Sequence, residues 1–146
     1  MSAKKIFIVD DSPTATNLMK LYLQKLGYCI SGIAENAEVA LQLVKKNNPD
    51  LVLMDIHLGE GMNGIEAADV IMSQYSIPVI YVTSYSDDET LERAKLSMPF
   101  GFINKPFREN DLRVNIEIAL SRKTSTKTQD IKNIFIRKRK RTECLP

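Results

Sequence analysis

The sequence predicts an α/β fold in which five helices cover both faces of a doubly wound, five-stranded parallel sheet. Two observations predict it. Across residues 1–121, five short apolar runs alternate with five segments of helical periodicity. Several of the apolar runs are also continuous instead of alternating, which suits strands buried on both faces.

The first run is Ile6–Val9, closed by Asp10 and Asp11. Ser12 then offers a helix cap, with Pro13 at the first helical position. Leu18, Met19, Tyr22, Leu23 and Leu26 form the apolar stripe of this first helix, and Gly27 ends it. The second run is Tyr28–Ile33. Asn36 caps a helix with Val39, Ala40, Leu43 and Val44 on its inner side, stopped by Asn47-Asn48-Pro49.

The third run, Leu51–Met54, ends in Asp55. A glycine-containing loop follows, and the third helix is expected from near Gly64 to about Gln74. Pro78–Val82 is the fourth run, ending in Thr83 and Ser84. Ser86 with Glu89 three residues on reads as a capping box for the fourth helix. Gly101–Ile103 is the fifth run. After Pro106 comes a helix with Leu112, Ile116, Ala119 and Leu120 inside and acidic Glu109 and Asp111 in its first turn.

A chain of 146 residues is long enough for one full hydrophobic core. Apolar residues make up 44% and charged residues 26%, the balance of an ordinary globular protein. No signal peptide and no bilayer-length apolar run are read in it, so a cytoplasmic location without membrane insertion is expected. Cys29 and Cys144 lie far apart without a CxxC pattern, which argues against a disulfide framework or a zinc site and fits a reducing compartment.

Charge divides the chain. Residues 1–121 carry a net −5, whereas residues 122–146 carry a net +7 and include the basic run Arg137–Arg141. The first part is read as the domain. The second is a basic tail that is either disordered or an extension of the last helix, with Ile131, Ile134 and Phe135 at amphipathic spacing. Five consecutive cations can bind nucleic acid through phosphates, but aromatic interleaving is missing beyond Phe135, and a solvated tail is the favoured reading.

Open α/β sheets bind ligands outside the carboxyl ends of their strands. Four runs deliver polar groups to that edge: Asp10 and Asp11, Asp55, Thr83 and Ser84, and Lys105. Taken singly, each has an ordinary explanation as a turn, cap or surface residue. Their coincidence has a specific chemistry. Three neighbouring carboxylates repel one another and need a cation. Hard oxygen donors that leave open positions suit Mg²⁺. A lysine and a hydroxyl would hold phosphoryl oxygens, and Asp55 would act as the nucleophile. The only histidine, His57, follows Asp55 by two residues, and nothing points to acyl transfer.

These residues resemble the receiver domain of two-component response regulators over about residues 4–121. The resemblance implies a flavodoxin-like sheet of strand order 2-1-3-4-5. It implies a signalling phosphoacceptor, not an enzyme acting on other substrates: Asp55 takes a phosphoryl group from a phosphohistidine of a sensor histidine kinase or histidine phosphotransfer protein. Asp10 and Asp11 match the acidic pair on Mg²⁺, and the backbone carbonyl of His57 the third protein oxygen. Thr83 matches the switch hydroxyl, Lys105 the phosphate-pairing lysine, and its bond to Pro106 is expected to be cis. A downstream effector is expected on the face of the fourth helix, fifth strand and fifth helix, which also serves homodimers in the family.

Three departures stand out. Phe102 occupies the aromatic switch position without a tyrosine hydroxyl. The loop after Asp55 has Gly59 where proline is frequent and reaches Gly64 one residue late. His57, Ser84 and Tyr85 are the phosphate-flanking residues, and the bulk of His57 and Tyr85 predicts slow loss of phosphate. Two alternatives remain at this level. One is an interaction module of the receiver fold that works without phosphate, although such proteins typically lack one of the residues present here. The other is an aspartyl-phosphate hydrolase, disfavoured because MDIHL has no second carboxylate of an Asp-x-Asp pattern. A tail of 25 residues leaves no room for a DNA-binding or cyclase output domain within 122–146.

Overall fold

The computed structural model describes residues 3–84 and 87–124. Five strands and five helices alternate: β1 Lys5–Val9, α1 Pro13–Lys25, β2 Cys29–Ala34, α2 Ala37–Asn47, β3 Leu51–Met54, α3 Gly64–Tyr75, β4 Val79–Thr83, α4 Asp88–Leu96, β5 Gly101–Asn104 and α5 Glu109–Thr124. The strands form one sheet of order β2-β1-β3-β4-β5, with every neighbouring pair parallel. This is the flavodoxin-like order expected from the resemblance. The order in which strands are added reverses between β1 and β3, one to each side, which opens the crevice at their carboxyl ends.

The central strands are the reason the sheet is buried on both sides. Ile6, Phe7, Ile8 and Val9 of β1 have no solvent exposure. Alternate residues serve opposite cores. Phe7 and Val9 join Val44, Met54, Ile71 and Tyr81 on one side, while Ile6 and Ile8 join Met19, Leu23, Leu53 and Ile116 on the other. Burying each such side chain contributes about 1.5–3 kcal/mol, which is why these runs specify strands without alternation.

Helix starts follow short polar side chains. Ser12 caps α1 through the Ala15 N–H, with Pro13 at its first turn, and Asn36 caps α2 through the Val39 N–H. Asn63 and Glu66 form a reciprocal capping box that starts α3. For α4 the cap differs from the expectation. Asp87 is the N-cap and accepts the Thr90 N–H at 2.7 Å, while Ser86 lies outside the described residues. Both residues are good caps in sequence, and the ionised carboxylate is the stronger acceptor at a helix N-terminus.

The inner side of α2 is also corrected. Ala37, Ala40 and Val44 are buried, but Val39 is 40% exposed, because the packed stripe starts at Ala37, two positions earlier. Cys29 is buried at the start of β2. The other cysteine, Cys144, lies outside the described residues. Helix α5 continues to Thr124, past the change in composition after 121. Most of the basic tail, including Ile131, Ile134, Phe135 and Arg137–Arg141, lies outside the described residues.

Candidate functional site

Parallel pairing brings the strand ends together. The Asp10 N–H donates to the Ala34 carbonyl, Asp55 to Val9, and Lys105 to Thr83, at 3.0, 2.9 and 2.9 Å. These bonds extend the ladders one residue past each strand. They set Asp10, Asp55, Thr83 and Lys105 side by side at the carboxyl edge.

Asp55 is the centre. It is buried, and its two carboxylate oxygens have separate partners. The fully buried Thr83 hydroxyl donates to Oδ1 at 2.8 Å, and the His57 backbone N–H reaches the same oxygen at 3.2 Å. Lys105 Nζ donates to Oδ2 at 3.1 Å. The ammonium lies closer still to Asp10, 2.7 Å from Oδ2, and the Lys105–Pro106 bond is cis.

Asp10 is buried and accepts the Ser12 N–H through Oδ1 at 2.9 Å. Burial pushes its carboxyl above the usual carboxylate range. The Lys105 and Ser12 hydrogen bonds oppose that shift, and the charge of Asp55 adds to it. Burial works against the Lys105 ammonium in turn. The hydrogen bond to Asp10 and the charges of Asp55 and Asp10 outweigh it and hold the lysine pKa above its ordinary value.

Carboxylate oxygens of Asp10, Asp11 and Asp55 all lie within 4.8 Å of one another. Two of the three groups are buried and Asp11 faces solvent. This is an all-oxygen set with excess negative charge and an open side, so the residues present fit a hard divalent cation. A cleft of about 600 Å³ opens over them, lined among others by Asp11, Thr14, Asp55, Thr83, Ser84 and Lys105.

The loop after Asp55 owes its entry to a glycine. The Gly64 N–H donates to the Ile56 carbonyl at 2.9 Å, and a Cβ at position 64 would overlap the Asp55 carbonyl oxygen. Gly59 and Gly61 have φ of 78° and 92°, in the left-handed region that favours glycine. Glu38 of α2 accepts the Met62 N–H at 3.1 Å, a support for the loop that the sequence did not reveal.

Of the sequence-predicted residues, Asp10, Asp55, Thr83 and Lys105 are in direct contact. Asp11, Ser84 and Pro106 line the cleft, and exposed His57 stands at its rim. Phe102 lies beside the site on β5, packed against the buried cluster that includes Tyr81. Tyr85 lies outside the described residues. Thr14 was missed; its place in the first turn of α1, beside Asp11, was the signal available.

Fold and site together define a flavodoxin-like α/β protein with an acidic pocket at the carboxyl edge of its sheet. Residues 6–117 match the response regulator receiver domain, and the chain belongs to that family. It is 32% identical over 119 residues to the transcriptional regulatory protein PdtaR of Mycobacterium tuberculosis, covering 82% of this chain and 58% of that protein. Among solved structures it resembles the signal receiver domain of a modulated diguanylate cyclase from Desulfovibrio desulfuricans. The TM-score is 0.81 and the identity 33%, over 84% of this chain and 98% of that one. A CheY-like receiver domain protein from Methanospirillum hungatei matches with TM-score 0.76 and 28% identity, over 84% and 97% of the two chains.

The chain spans little more than half the length of the curated relatives it matches. Membership of the family places it in phosphorylation-type two-component signalling, as a signalling phosphoacceptor. Among the described residues no helix is long and apolar enough to cross a membrane.

Proposed function

We propose that this chain is a phosphorylation-activated receiver whose acceptor is Asp55 and whose donor is a phosphohistidine of a sensor histidine kinase or histidine phosphotransfer protein. One observation carries the reading. A single buried carboxylate is held at once by a hydroxyl, Thr83, and an ammonium, Lys105, while two further carboxylates stand within 4.8 Å of it.

An oxygen of Asp55 attacks phosphorus, the bond from phosphorus to the donor imidazole nitrogen breaks, and the imidazole leaves with that electron pair. Asp10, Asp11, Asp55 and the His57 carbonyl would hold Mg²⁺, which supplies positive charge to the phosphoryl oxygens. Lys105 turns from the carboxylate pair to a phosphoryl oxygen, and Thr83 donates to another. The change in Thr83 and in the neighbouring Phe102 then biases a two-state equilibrium at the face of α4, β5 and α5, where the effector or a second copy binds. His57 and Tyr85 shield the acylphosphate from water, and a cytoplasmic site of action follows from the donor.

Beryllofluoride with Mg²⁺ mimics the phosphoryl group and tests this reading. Wild type is expected to give NMR shift changes centred on Asp55, Thr83 and Lys105 and an increase in melting temperature. Asp55→Asn is expected to give neither. No response in wild type would instead favour an interaction module that works without phosphate.

A further inference from the structure

Tyr81 and Thr83 stand two residues apart on β4, both fully buried. The two-residue period of a strand puts their side chains on the same face. Thr83 reaches toward the acceptor. Tyr81 reaches the other way along the helix layer, where its hydroxyl lies 2.6 Å from Ser97 Oγ. The Ser97 hydroxyl itself donates to the Ala94 carbonyl at 2.6 Å, so Tyr81 is the donor to Ser97.

Ser97 is the C-cap of α4, and α4 has little other hold on the protein. Among its described residues only Ala94 is buried. Leu96 and Met98, which flank Ser97, are 80% and 76% exposed. The Tyr81–Ser97 bond is therefore a main tether of this helix to the sheet. The Phe102 ring meets Tyr81 edge-on, with centroids 6.1 Å apart and planes at 71°. Phe102 carries no hydroxyl, and the phenol of this pair stands on β4, the strand that also carries Thr83.

We propose that Tyr81 is a positioning residue for the switch: its hydroxyl fixes the C-terminal end of α4 to the strand that carries Thr83. A displacement of β4 at the acceptor is then passed to α4 and to the apolar pair Leu96 and Met98. This inference rests on the phosphoacceptor reading of Asp55 and adds the route by which its state reaches the surface. The acceptor chemistry does not require Tyr81, whose hydroxyl bonds Ser97 and no group of the acidic cluster.

Amide hydrogen exchange of the full chain, with and without beryllofluoride and Mg²⁺, tests it in wild type, Tyr81→Phe and Ser97→Ala. Loss of one buried hydrogen bond corresponds to about 2- to 10-fold faster local opening. Tyr81→Phe is expected to speed exchange of the α4 amides by that factor while β1 amides keep their protection. It should also shrink the beryllofluoride-induced change in α4 to less than half of the wild-type change, with the shifts at Asp55 retained. Ser97→Ala should act alike, and the double variant should add little to either. Wild-type exchange in the α4 of Tyr81→Phe, or an undiminished α4 response, would overturn the tether, since a purely structural role lowers stability without uncoupling the two regions. Should wild type itself ignore beryllofluoride, the acceptor reading fails, and the tether still stands or falls on exchange in the free protein.

Discussion

Lys105 Nζ lies 2.7 Å from Asp10 Oδ2, closer than its 3.1 Å approach to Asp55, the proposed acceptor. The lysine thus neutralises two buried carboxylates together. In the phosphate-free protein its first role is to make a buried acidic pair tolerable.

Replacing Lys105 with Met therefore has two expected outcomes. Asp10 keeps its burial and loses its cation, so the protein should lose about 1–3 kcal/mol of stability, read by urea unfolding. Phosphorylation by a small acyl-phosphate donor should slow by about 100-fold, the typical effect of removing a preorganised charge at a transferring group. Full-rate phosphorylation of this variant would remove Lys105 from the proposed chemistry.

Gly64→Ala tests the close approach behind Asp55. The added Cβ would overlap the Asp55 carbonyl oxygen, which is backbone and has no rotamer with which to move aside. A loss of about 1–3 kcal/mol is expected from overpacking, together with slower phosphorylation as Asp55 shifts. Crystal or NMR coordinates showing an unmoved β3–α3 junction in the variant would contradict this account.

Stability should fall at alkaline pH through Tyr81. Burial pushes the Tyr81 phenol up from 10.0 to about 12, with the Ser97 hydrogen bond opposing and the Asp69 charge adding. The folded state holds the proton more tightly than the unfolded chain. The resulting stability, about 2–3 kcal/mol, is fully present below pH 10 and is lost as pH rises from there through 12. Tyr81→Phe should flatten that part of the profile, measured by urea unfolding at pH 8 and at successive higher values.

Removing the bulk of His57 and Tyr85 together, by small side chains at both positions, should shorten the aspartyl-phosphate half-life severalfold. Radiolabel loss from the phosphorylated protein measures it. An unchanged half-life would take both residues out of the control of hydrolysis.

Much of the site was legible because its members share one topological address. Asp10, Asp55, Thr83 and Lys105 each follow an apolar run, and parallel strands necessarily bring such positions to one edge. The cap of α4 was not legible, since Ser86 and Asp87 are both good caps in sequence. Nor was the Tyr81–Ser97 bond. Tyr81 sits inside an apolar run as an ordinary core residue, and Ser97 is one serine among many; only the packing of α4 against β4 joins them. The glycine-rich loop was legible as a departure, but its support from Glu38, twenty-four positions away from Met62, is a tertiary contact with no local signature.

The central claim is that Asp55 accepts the phosphoryl group. Intact-mass measurement after incubation with a small acyl-phosphate donor and Mg²⁺ tests it most directly, in wild type and in Asp55→Asn. One phosphoryl adduct on wild type, absent from Asp55→Asn and from wild type without Mg²⁺, is the predicted result. An adduct of equal extent on Asp55→Asn, or none on a folded wild type, would contradict it.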